Sequence, residues 1–110
     1  MGRSREYLGE FEQVVLLALA RLDEGGYGAA IHAEILETSG RDVSIPAVYV
    51  TLKRLETKGL VSSTVRPTTQ GGRAKKVYVL EPEGHAALMR SRELLERLWS
   101  GANVQTGEVS

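Results

Sequence analysis

Apolar side chains recur at helical spacing from the start of the chain. Leu8, Phe11, Val15, Ala18, Leu19 and Leu22 fall on one stripe, which predicts a helix over residues 8–24. Leu16, Leu17 and Ala20 lie elsewhere around the same axis, so this helix has more apolar surface than one face of a small domain needs. Gly25, Gly26 and Gly28 then break the chain around Tyr27. A second helix is predicted over residues 29–38, with Ile31, Ile35 and Leu36 inward and Gly40 as its C-cap. A third starts at Ser44, whose hydroxyl can accept from a free amide of the first turn. Pro46 in that turn gives up an amide that needs no partner. Ile45, Val48, Leu52 and Leu55 share one face of this helix, while Pro46, Ala47, Val50, Lys53, Arg54 and Thr57 point the other way. Gly59 ends it.

The period then drops from helical to two. Residues 60–66 alternate Val61, Ser63 and Val65 with Ser62 and Thr64, and residues 75–80 alternate Tyr78 and Leu80 with Val77 and Val79. Residues 67–74, with Gly71 and Gly72 side by side, read as the loop of a hairpin. Pro82 opens a last helix running to about residue 99. On a helical wheel Ala87, Leu88, Leu94, Leu95, Leu98 and Trp99 share one arc with Ser91, and Arg90, Glu93, Glu96 and Arg97 lie opposite. The order is helix, helix, helix, hairpin, helix, an α+β chain that is mostly α. Residues 1–81 are expected to form the head, 82–100 a C-terminal helix, and 101–110 a frayed tail without periodicity.

A chain of 110 residues fits one domain. It has no cysteine, which excludes disulfides and thiolate chemistry and fits a reducing, cytoplasmic compartment. The longest apolar run, residues 14–20, is far short of a membrane span, and no signal-peptide core follows the first residues. Net charge is zero, but its distribution is not even: −4 over residues 1–40, +6 over 41–80 and −2 over 81–110. Phosphate binding responds to a local patch rather than to the chain total.

Two short helices in succession, the second with cations on its outward face, suggest a helix-turn-helix that enters a DNA major groove. Ser44, Pro46 and Ala47 at the start of the third helix would let its backbone approach closely. Val50, Lys53 and Arg54 would meet base edges or backbone one turn later. Tyr27 and Tyr49 are candidates for contact with phosphate, the alternative being plain packing. Arg66, Arg73, Lys75 and Lys76 gather around the hairpin, where cations suit a phosphate backbone or a minor groove.

Other chemistry finds little support. Lys58 reads as a charge at a helix C-terminus, and His32 and His85 as solvated helix residues. Glu81, Glu83 and His85 straddle a helix start without a second His or Cys, too few ligands for a metal-dependent hydrolase. Glu10 and Glu12 are two apart and do not share a helical face. No nucleophile–base pair and no phosphate-binding glycine loop are visible, so no cofactor, no metal and no enzymatic activity are expected.

The last helix needs another surface, because three helices and two strands already close the head. A two-fold partner would cover it, and Phe11, Leu16, Leu17, Leu88, Leu94, Leu95, Leu98 and Trp99 are the expected interface. The bland alternative is that this helix folds back onto its own head.

In order and spacing the chain resembles the PadR family of bacterial winged-helix regulators. The resemblance rests on Leu8 to Glu12 with the apolar run behind it, and on Tyr27 and Gly28. It continues through Ser44 to Tyr49 with Leu52, Arg54, Leu55, Lys58, Gly59 and Leu60. Gly72, Arg73, Tyr78 to Leu80, and Pro82 to Gly84 complete it, over about residues 7–100. Pro46 departs from it, standing where glycine or a similar small residue is expected. The resemblance implies a winged helix-turn-helix, homodimerisation through the terminal helices and binding to double-stranded DNA. It places DNA contact on the third helix, including Tyr49, and on the wing around Arg73, Lys75 and Lys76. It also implies a small-molecule effector without choosing its identity. The function expected is a ligand-responsive repressor on an inverted-repeat operator. The alternative is a winged-helix module whose basic face meets an acidic protein.

Overall fold

Capping decides where the helices begin and end. In the computed structural model, which describes residues 7–67 and 74–104, the Ser44 hydroxyl accepts from the Ala47 amide at 3.1 Å. That bond starts α3 (Ile45–Thr57), with its proline in the first turn as expected. Helix α2 (Gly28–Ser39) ends on Gly40 at φ 74°, a left-handed position that glycine takes without steric cost. Helix α1 (Glu10–Ala20) lacks a capping side chain at its N-cap, and Glu12 reaches back instead, its Oε1 accepting from the Gly9 amide at 2.9 Å.

Helix α1 is shorter than the predicted span of 8–24, for a reason two glycines explain. The Gly26 amide donates to the Tyr78 carbonyl at 2.9 Å, and the Tyr78 amide donates back to Gly26 at 2.8 Å. The chain must leave the helix by Arg21 to make this bridge, and a side chain at Gly25 would collide with the Tyr78 carbonyl. What reads in sequence as a simple break is a third edge for the sheet.

The sheet itself is antiparallel, β1 (Val61–Arg66) with β2 (Lys75–Leu80), Val61 opposite Leu80 and Arg66 opposite Lys75. The predicted alternation holds only at its base. Val61 is buried, but Val65, near the far end, is exposed because the wing has left the core there. Val77 and Tyr78 are both buried, since protein covers both faces of β2 at that level.

Val15, Leu16, Leu19, Ile31, Ile35, Val48, Leu52 and Leu55 form the core between the first three helices, closed by Val61 and Tyr78. Each such side chain withdrawn from water contributes about 1.5–3 kcal/mol. Leu16 is therefore a core residue with no exposed surface, and the expectation that it is surplus and faces a partner is wrong. Ile45, assigned to the inner face of α3, is 45% exposed at the first residue of that helix.

Helix α4 (Pro82–Trp99) has the predicted bounds. Its first half packs on its own head: Gly84, Ala87 and Ser91 are buried, and a side chain at Gly84 would collide with the Leu60 carbonyl. Arg90, placed on the outer face by the wheel, is half-buried. Three helices, a two-stranded wing and a C-terminal helix make a winged helix-turn-helix. No helix among the described residues is long and apolar enough to cross a membrane.

Candidate nucleic-acid interface

The turn after Tyr27 sets the position of α3's outer face. A side chain at Gly28 would fall inside the ring of Tyr49, so the ring lies directly on the first turn of α2. This explains why glycine stands at position 28, against Tyr49. Tyr49 stays partly exposed beside that turn.

Beside it runs a groove of about 630 Å³ between α3 and the wing. Tyr27, Tyr49, Lys53, Lys75 and Lys76, all predicted contact residues, line it together. Lys75 sits with its ammonium 5.6 Å from the centre of the Tyr27 ring. Val50 and Arg54 are exposed on α3, with Pro46 exposed and Ala47 half-buried at its start. The Ser44 hydroxyl is occupied as the cap, so any further contact there would share it. Arg73, with the loop around Gly71 and Gly72, lies outside the described residues.

Sequence reasoning missed two groups in this groove. Glu56 accepts from the Ser63 hydroxyl at 2.7 Å and so ties α3 to the wing. Tyr78 forms the floor; burial, then the neighbouring Glu56 and Tyr49, push its phenol above the ordinary value of 10.0. Glu56 does not stand out in the sequence, because the Ser63 that gives it a role belongs to another element.

The basic helix is strapped from behind as well. Lys58 is more than a helix-end charge: its ammonium donates to Glu12 Oε2 at 2.9 Å, joining the end of α3 to the start of α1. Burial raises the Glu12 pKa, but the bonds from Lys58 and Gly9 and the charges of Lys58 and Arg54 outweigh it and bring the group below 4.5. Glu10, on another face of α1, pairs with Arg41. His32 is not simply solvated, since its Nε2 donates to the Val43 carbonyl at 2.7 Å and fixes the connection into α3.

The residues expected at a two-fold interface divide. Phe11 and Leu88 are partly buried against the core and Leu94 is half-buried, whereas Leu17, Leu95, Leu98 and Trp99 are exposed. Leu17, Leu88, Leu95 and Trp99 line a second groove of about 450 Å³ between α1 and α4.

The model for the transcriptional regulator PadR-like family matches residues 15–90. Over 76 residues the chain is 42% identical to transcriptional regulator Rv3488 of Mycobacterium tuberculosis, covering 69% of this chain and 68% of that one. Among solved structures it is similar to a PadR-like transcription factor from Bacteroides fragilis, at 26% identity and a TM-score of 0.73, over 84% of this chain and 86% of the other. A PadR family regulator from Eggerthella lenta also matches, at 26% identity and a TM-score of 0.68, over 84% and 81% of the two chains.

Proposed function

The chain belongs to the PadR-like family, DNA-binding transcriptional regulators rather than enzymes, and we propose that it is a repressor acting as a homodimer on an inverted-repeat operator. The observation that carries this reading is the groove shared by α3 and the wing, with Lys53, Lys75 and Lys76 around it. A major groove admits a helix, and the duplex backbone beside it would run between α3 and the wing. In this reading Val50 and Lys53 address base edges, with Ala47 and Pro46 close to the backbone. Ser44, Tyr49, Arg54, Arg73, Lys75 and Lys76 hold the phosphates.

Repression is steric: the dimer covers its operator until an effector changes the spacing of the two heads. The groove between α1 and α4 is the natural place for such an effector, because it joins the head to the helix that would carry the partner. Selection of duplexes from a random pool, repeated over a salt series, tests the reading. An inverted repeat should emerge, and Val50→Ala or Lys53→Ala should change the preferred bases by about 1–3 kcal/mol for each base interaction removed. The same motif from parent and variants would remove direct readout by α3.

A further inference from the structure

The contact between Tyr27 and Lys75 joins two elements that are far apart in sequence. Tyr27 precedes α2, and Lys75 opens β2, the returning arm of the wing. The backbone holds them in one rigid frame. Gly26, next to Tyr27, exchanges hydrogen bonds of 2.9 and 2.8 Å with Tyr78, three residues beyond Lys75. The Tyr27 backbone therefore has a fixed place relative to the strand, and the Lys75 ammonium rests over its ring at 5.6 Å. A lysine side chain is otherwise a long flexible stem that must lose its rotamer freedom when it grips a phosphate.

We propose that Tyr27 is a positioning residue for DNA binding, its ring holding Lys75 in the groove ready for a phosphate, rather than a residue whose own hydroxyl meets the duplex. The inference rests on the reading that the wing lysines meet phosphate. The ring offers its electron-rich face to the ammonium and leaves the outer side of that charge open to the groove. A phosphate arriving there meets a cation already in place. Among the described residues, Lys76 has no such aromatic partner, although it lines the same groove. The two neighbouring lysines thus differ in how far they are ordered before DNA arrives.

The test uses the full chain and a short fluorescein-labelled duplex of mixed sequence, with anisotropy read over a salt series. Lys75→Met should weaken binding and lower the salt slope by about one phosphate contact. Tyr27→Leu should weaken binding about two- to fivefold, the range of a surface cation–π contact, while Tyr27→Phe and Tyr27→Trp bind like the parent. Tyr27→Leu should add nothing to Lys75→Met, yet add fully to Lys76→Met. Thermal melts of all variants check that the fold is kept, and the Phe and Trp variants preserve the ring if Leu disturbs it. If Lys75→Met binds like the parent, the wing reading fails and the inference falls with it. If Lys75→Met weakens binding but Tyr27→Phe loses as much as Tyr27→Leu, the hydroxyl makes the contact. If Tyr27→Leu has no effect, or adds to Lys75→Met, the ring does not act through this lysine. Each of the last two results overturns the inference and leaves the wing reading standing.

Discussion

At Gly28 one missing side chain decides where a candidate DNA contact sits. Any β-carbon there would enter the space of the Tyr49 ring. The far end of that ring is partly exposed, so it can swing outward to make room for a β-carbon. Gly28→Ala should therefore keep its melting temperature within a few degrees while losing DNA affinity. The loss should be about fivefold, the worth of one hydrogen bond to phosphate near 1 kcal/mol. Tyr49→Ala should lose as much, and the double variant no more than Tyr49→Ala alone. Parent-like binding by Gly28→Ala in the same titration would show that the seat of Tyr49 is irrelevant to the interface.

Between elements, polar straps do what the small core does not. Glu56 with Ser63 ties α3 to the wing, and Ser62 donates to Glu81 at 2.6 Å, tying the wing to the start of α4. Glu12 with Lys58 ties α3 to α1 and caps α1 at the same time. Since the Glu12 pKa is lowered on folding, its contribution is complete above the ordinary value of 4.5 and is lost as pH falls through the lower, folded value. Glu12→Gln should cost about 1.5–3 kcal/mol at neutral pH, the worth of a hydrogen bond to a charged group. Urea melts should show the gap between parent and variant closing as the pH is taken below 4.5. A gap that stays constant with pH would mean that packing at this site, not ionisation, matters.

At the scale of the molecule, the far half of α4 is left without cover. Leu98 and Trp99 are 63% and 61% exposed, and Leu95 and Leu17 flank them. Burying one leucine contributes about 1.5–3 kcal/mol, so a two-fold partner meeting this stripe gains several such terms. The expected result is a parent that sediments as a dimer at micromolar concentration. Leu95→Asp with Leu98→Asp should give a folded monomer that binds duplex weakly, because two heads no longer act together. A monomeric parent that binds an inverted repeat tightly would reject the dimer.

The sequence by itself determined the order of elements, the caps at Ser44 and Gly40, the bounds of α4 and the cations of the third helix and wing. These depend on neighbours along the chain: a serine hydroxyl reaching an amide three residues on, a glycine free to turn left-handed, a period of three and four. The family resemblance could be read for the same reason, since it consists of local motifs in a fixed order. Which apolar residues are spare was decided only by tertiary structure. Leu16 and Leu17 are adjacent and chemically alike, yet one is enclosed by the core and the other is 52% exposed. The early end of α1, the paired burial of Val77 and Tyr78, and the contacts of Glu12 with Lys58 and Tyr27 with Lys75 are of the same kind. Glu12 and Lys58 stand 46 residues apart, and Tyr27 and Lys75 belong to different elements, so neither pairing leaves a local mark. Helical and strand periodicity specify which face a residue occupies, but not what the fold brings against that face.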